Sequence, residues 1–290
     1  MSKLKILWLS SITCNGNAHS FLNYENLDIL LDNFEFIYHP IIESKYNLND
    51  IIYKDLYCDI LILEGAISPE YNKVNEPIIN IINKYASRVH KIVTVGTCAT
   101  FGGIFRDSGY AYTTGLHFDG EKPTFLFTSL KDKTVSISGC PIHPETLANT
   151  LFSIKDDIKL SLDQYLRPKE YFSYTVHNGC TRNEYFEYKV DNHIFGSKEG
   201  CMFYDHGCAA PYTSGSCNKI LWNSVNSKTR NGEPCHGCTE PTFPKNNFYK
   251  TKKNMGIPAN LPLGVGKRTY LTLAGVTKAF KIKRLEEDLF

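Results

Sequence analysis

Through residues 1–165, short continuous apolar runs alternate with helical patterns, and that alternation leaves few architectures open. The runs are Leu4–Leu9, Phe34–Tyr38, Ile60–Leu63, Ile92–Val95 and Val135–Ile137. An apolar run without polar alternation has no face for solvent, so each predicts a strand covered on both sides. Between them, helices are expected around Phe21–Leu31, Glu76–Ala86 and Pro144–Ile154. In the second, Ile78, Ile79, Ile81 and Ile82 form the i, i+3, i+4 stripe of one buried face. Doubly buried strands with helices between them belong to a parallel α/β sheet. Such sheets gather ligands outside the carboxyl ends of their strands.

Three cysteines stand at those ends. Cys14 follows the first run in SSITCNGNAHS, Cys98 follows the fourth in VGTCATFGG, and Cys140 follows the fifth in SGCPIHPE. Glu64, in LILEGAI, closes the third run in the same way. Gly96, Gly102, Gly103 and Gly139 beside them let the backbone approach closely, so the three thiols are expected to converge. Cys58 precedes its strand and reads as a buried thiol. Asn17 stands three residues after Cys14, where a Cys-x-x-Cys motif would place its second thiolate.

The remaining composition narrows the function classes. At 290 residues and 42% hydrophobic, the chain has room for a full core and two domains. Its 32 basic and 30 acidic residues give a net charge of +2 without blocks of one sign, so no nucleic-acid footprint is present. No apolar run reaches the roughly 18–20 residues of a membrane span. The start, MSKLKILWLSS, shows no twin arginine, long apolar segment or small-residue cleavage site. Cytoplasmic residence is therefore expected, with peripheral attachment to a membrane through partners left open. In a reducing compartment the ten cysteines are expected to be ligands or buried thiols rather than disulfides.

After about Arg167 the periodicity fades, which predicts a second domain over 166–290. Six cysteines crowd into it, in HNGC (His177, Cys180), GCMFYDHGC (Cys201, Cys208), SGSC (Cys217) and PCHGC (Cys235, Cys238). A segment with so little regular structure needs metal centres to hold it together. Zinc sites use such donors too, but seven donors make one four-coordinate zinc site with three left over. Iron–sulfur chemistry absorbs all seven, as a four-ligand cubane and a three-ligand cluster. The Gly-rich GYAYTTG follows no strand-to-helix grammar and is not read as a phosphate loop.

Taken in order, these residues resemble the electron-transferring small subunit of nickel–iron hydrogenases. The resemblance rests on CNGN at Cys14–Asn17, GTCATFGG at Gly96–Gly103, GCP at Gly139–Pro141 and HNGC at His177–Cys180. It continues through Cys201 and Cys208, CNKILWN from Cys217, and PCHGCTEPTFP at Pro234–Pro244. It implies a flavodoxin-like α/β domain at 1–165 and an irregular cluster-binding domain at 166–290. Cys14, Cys98 and Cys140 would hold a proximal cluster beside the nickel–iron site of a separate large subunit. Cys217, Cys235 and Cys238 would hold a medial [3Fe-4S] cluster, and His177, Cys180, Cys201 and Cys208 a distal [4Fe-4S] cluster. Cys201 and Cys208 are one residue further apart than the family pattern, which predicts a bulge at Tyr204–His206 and makes His206 a rival to His177. The partners implied are that large subunit and an unidentified electron acceptor, in a dimer of heterodimers or larger.

Asn17 departs from the usual pattern. A carboxamide oxygen is a weaker, neutral donor to iron than a thiolate. The reading favoured here is a proximal [4Fe-4S] cluster on three cysteines with Asn17 as the fourth ligand. Water, Asn15, His19 or Glu64 at that iron, a three-iron cluster, and a decayed site stay open. Asn17 and the closing stretch MGIPANLPLGVGKRTYLTLAGVTKAF resemble the group 2 uptake enzymes. A H2-sensing hydrogenase shares the architecture and is the alternative. The related complex I subunit lacks the second set of donors and carries adjacent cysteines near its first strand. His143 reads as a helix start, and Arg182 as a residue orienting the His177–Cys180 loop.

Overall fold

The computed structural model describes residues 3–109, 112–250, 261 and 264–279. The chain divides into two compact units: Met1–Glu170 with Cys238–Phe243, and Tyr171–Gly237 with Pro244–Phe290.

The first unit is built on five strands: β1 (Leu4–Ser10), β2 (Phe34–Tyr38), β3 (Ile60–Glu64), β4 (Lys91–Val95) and β5 (Thr134–Ile137). They pair in parallel in the order β2-β1-β3-β4-β5, the flavodoxin-like winding. Every residue of β3 is buried, and Ile6 to Leu9 of β1 are fully enclosed, as continuous apolar runs require. Ser10 lies opposite Glu64, Glu64 opposite Val95, and Val95 opposite Ile137. The four carboxyl ends are therefore level, and the loops that leave them emerge side by side.

Helices α1 (Gly16–Leu22), α2 (Leu27–Asn33), α3 (Leu48–Tyr53), α4 (Ile78–Ala86), α5 (Gly96–Phe101) and α6 (Pro144–Lys155) connect the strands. The single helix expected around Phe21–Leu31 is two. The NYEN segment at 23–26 breaks it, because Asn side chains compete for backbone hydrogen bonds and favour turns. In α4, Ile78, Ile81, Ile82, Tyr85 and Ala86 are buried, while Ile79 sits half-buried at the rim. Glu76 and Pro77, expected in that helix, instead pair with Asn72 and Lys73 in a short ribbon. Cys58 is buried in the same core, and burial pushes its thiol up to about 12.

The second unit has little regular structure: α7 (Asn183–Glu187), α8 (Phe203–His206), α9 (Lys267–Ala279) and short 3-10 turns. Its core collects Val176, Phe186, Met202, Phe203 and Tyr270 around Cys201, Cys208 and Cys235. The boundary falls at Glu170, a few residues later than expected, because the preceding chain is bound to the sheet. Ser136 on β5 donates to the Leu166 carbonyl at 2.8 Å, and the Asp163 carboxylate accepts from the Arg167 Nε at 2.8 Å. Cys238–Phe243 returns to the first unit, where Ser138 Oγ and Arg167 Nη1 both donate to the Thr239 carbonyl. Tyr110 and Ala111 of GYAYTTG, and residues 255–260, Pro262, Leu263 and Phe280 of the closing stretch, lie outside the described residues. Among the described residues no helix is long and apolar enough to cross a membrane.

Candidate metal centres

The level strand ends bring Cys14, Cys98 and Cys140 together. The Cys98 thiol feels Cys140, Cys14 and Glu64 electrostatically, so groups from four strand ends lie in one neighbourhood. Cys14 and Cys140 are exposed and Cys98 half-buried, so the cluster of thiols opens on the surface of this chain. Burial pushes the Cys98 thiol up to about 12, opposed by a hydrogen bond from the Ile104 N–H. Gly103 has φ 52, and a Cβ there would lie 2.7 Å from Cys98 Sγ. The glycine is what lets the next turn pass over the thiol.

Glu64 is fully buried and organises the corner beside Asn17. Its carboxylate accepts from Trp8 Nε1 at 2.9 Å, Thr13 Oγ1 at 3.2 Å, and the backbone N–H groups of Asn17 at 3.0 Å and Ala18 at 3.3 Å. The Asn17 side chain joins three strand ends: Nδ2 donates to Glu64 at 3.3 Å and to the Val95 carbonyl at 3.5 Å, and Oδ1 accepts from the Ile142 N–H at 3.0 Å. A carboxamide oxygen has two lone pairs, so one is committed to Ile142 and one is left. Gly96, at φ 88, passes so close that a Cβ would lie 2.4 Å from Asn17 Nδ2.

In the second unit one recess is lined by His177, Cys180, Cys201 and Cys208, together with Arg182, Phe186, Met202 and Phe203. His177 is buried, its Nε2 has no hydrogen-bond partner, and burial with the Lys189 charge lowers its pKa to about 4. Burial likewise pushes Cys201 up to about 12 and Cys208 well above the ordinary thiol value. The His206 ring packs instead on Phe195, with centroids 4.3 Å apart, and does not line the recess. Where a bulge at Tyr204–His206 is expected the chain forms α8, one helical turn closed by Gly207 at φ 66. Backbone N–H groups point at two of the sulfurs: Cys235 at Cys208 Sγ (3.2 Å) and Arg182 at Cys180 Sγ (3.4 Å).

The profile of the C-terminal domain of NiFe/NiFeSe hydrogenase small subunits matches residues 172–250, and that of the NADH ubiquinone oxidoreductase 20 kDa subunit matches residues 14–154. The F420 non-reducing hydrogenase I small subunit of Methanosarcina mazei is 30% identical, over 84% of this chain and 74% of its own length. The periplasmic [NiFe] hydrogenase small subunit of Solidesulfovibrio fructosivorans is 31% identical, over 82% of this chain and 78% of its own. This chain belongs to the nickel–iron hydrogenase small-subunit family. Its fold is similar to that of the [NiFeSe]-hydrogenase of Desulfomicrobium baculatum (TM-score 0.72, 25% identity, 87% of this chain and 100% of that one). The actinobacterial-type NiFe-hydrogenase of Ralstonia eutropha shares the fold alone (TM-score 0.73, 22% identity, 96% and 90%).

The donors of this small subunit fit the clusters that the resemblance implies. Soft thiolates with one imidazole suit iron–sulfur chemistry. A buried imidazole nitrogen without a hydrogen-bond partner, in a recess also lined by three cysteines, is free to bind a metal group. Among the described residues no three His, Cys, Asp or Glu side chains are grouped to hold a metal ion. A bound cluster supplies one-electron redox chemistry; the chain supplies the ligands, the N–H donors to sulfur and the dry surroundings that tune it. Of the remaining donors, Cys217 and Cys235 belong to the second unit, and Cys238 opens the segment that returns to the first.

Two residues passed over by sequence reasoning hold the donor loops. The Thr97 N–H donates to the Gly139 carbonyl at 2.9 Å; its hydroxyl accepts from the Gly139 N–H at 3.0 Å and donates to the Cys238 carbonyl. Ser20 Oγ donates to the Ile142 carbonyl at 2.7 Å, fixing α1 to the loop after Cys140. The only sequence signal for Thr97 is its place between Gly96 and Cys98. His143 stands at the start of α6 as expected, and the His236 ring stacks on Phe248.

Proposed function

We propose that this chain carries electrons from H2 oxidation at a large-subunit nickel–iron site through three iron–sulfur clusters to an acceptor, as the small subunit of a group 2 uptake hydrogenase. The proximal cluster is assigned to Cys14, Cys98 and Cys140 with Asn17 at the fourth corner, the medial [3Fe-4S] cluster to Cys217, Cys235 and Cys238, and the distal [4Fe-4S] cluster to His177, Cys180, Cys201 and Cys208. The observation that carries the reading is the pair of donor sets, one at level strand ends and one around an unpartnered buried imidazole. Electrons released in pairs from H2 leave singly, which is why a chain of one-electron centres in a low-dielectric matrix suits the task.

The test is purification of the heterodimer with metal analysis, EPR and H2 oxidation with an artificial acceptor. Three clusters and turnover are expected; a colourless zinc protein would end the reading. Weak turnover with tight binding to a histidine kinase would move the assignment to the sensing class. Some relatives are named as periplasmic, so cytoplasmic residence, part of the same proposal, is checked by cell fractionation.

A further inference from the structure

We propose that Arg182 is the fixed counter-charge of the distal cluster and raises its reduction potential, an inference that rests on the distal assignment above. Arg182 is 3% exposed and lines the recess that also holds His177, Cys180, Cys201 and Cys208. Its guanidinium is satisfied as a donor: Nε donates to the Thr229 carbonyl at 2.7 Å, Nη1 to those of Glu199 at 2.9 Å and Gly200 at 2.8 Å, and Nη2 to that of Ser197. Every one of these acceptors is a neutral backbone carbonyl. No carboxylate among the described residues forms an ion pair with it.

A guanidinium stays charged, and burying a charge without an opposite one is strongly unfavourable. Buried charges in stable proteins are paired or face a metal group. Lys189, 5% exposed, is a second buried cation near His177 and Cys201, and Asp191 opposes it at Cys201. Arg182 is the cation that lines the recess itself. The recess it lines is where three thiolates would gather on a cubane that is net anionic, and more so after taking up an electron. Electrostatic attraction to Arg182 therefore favours the reduced cluster over the oxidised one. The Arg182 N–H directed at Cys180 Sγ acts in the same sense at closer range. Arg182 is thus a positioning and tuning residue, tying together the 197–200 and 229 segments while setting the potential at the end of the chain.

The experiment is an EPR-monitored redox titration of the loaded heterodimer carrying Arg182→Gln or Arg182→Lys. With Gln, about a tenfold loss in the relative stability of the reduced distal cluster is expected, a fall of about 59 mV for a one-electron couple. With Lys, which keeps the charge and gives up the fork, the distal potential should stay near that of the unaltered protein. The medial and proximal signals should not move in either variant. A distal potential unchanged by Gln, or lowered equally by Gln and Lys, overturns the proposal. If Gln prevents the distal cluster from loading while Lys permits it, the charge is what the site needs; failure of both assigns Arg182 to the loop framework alone and overturns it. A missing distal signal in the unaltered heterodimer would instead overturn the distal assignment itself.

Discussion

Residue 17 shows how one side chain serves both a fold and a site. Asn17 donates to Glu64 and Val95 and accepts from Ile142, so its removal leaves the Ile142 N–H and part of the buried Glu64 carboxylate without partners. Asn17→Ala should lower stability by about 1–3 kcal/mol, read as a lower denaturation midpoint with an unchanged denaturant slope. Its Mössbauer spectrum should lose the distinct iron site if the free lone pair of Oδ1 binds iron. His39 is a residue whose effect depends on pH. It is 3% exposed, packs against Trp8 and Phe36, and accepts from the Ile41 and Ile42 N–H groups on Nδ1. Burial lowers its pKa from 6.5 to about 4, and His117 is lowered to the same value chiefly by burial. Between these values the unfolded chain binds protons that the folded one does not, so stability is full above pH 6.5 and falls as pH drops toward about 4. Denaturation followed by Trp8 fluorescence should show a loss of a few kcal/mol across that window, at most. His39→Gln should remove its share of that loss and leave the share of His117.

At the scale of elements, the site depends on where strands stop and helices begin. β4 runs directly into α5 at Gly96, whose φ of 88 and contact with Asn17 exclude a side chain. Gly96→Ala should therefore push Asn17 and Cys98 apart. Reduced iron content in the purified heterodimer, with β-sheet circular dichroism preserved, is the expected result. All five strands were legible as apolar runs, within a residue or so at their ends. The break between α1 and α2 was not, because Phe21 and the residues to Leu31 keep a helical spacing across it. The start of α1 at Gly16, two residues after Cys14, was missed for a related reason. Its buried residues include Asn17 and Ser20, polar side chains that a search for apolar periodicity passes over.

Across the whole molecule the two units draw on different sources of stability. The first has a five-stranded sheet with a large aliphatic core. The second has three helices and no sheet among the described residues, and Cys201, Cys208 and Cys235 occupy three of its core positions. Stripping iron with a chelator under reducing conditions should therefore open the second unit first, with protease cuts concentrated within 171–237 and the sheet left intact. Cuts spread evenly over both units would contradict this. The sequence by itself determined that the strands are buried and parallel, that Cys14, Cys98 and Cys140 stand at their ends, and that a second donor set follows. Local periodicity and covalent spacing carry that information directly. Only the tertiary structure decided that His177 rather than His206 lines the recess with Cys180, Cys201 and Cys208, that Asn17 and Glu64 share one hydrogen-bonded corner, and that the Arg182 side chain lies buried there with carbonyls for hydrogen-bond acceptors. Those facts depend on contacts between residues far apart in sequence. Which groups are left unpaired after packing is a property of the folded chain as a whole.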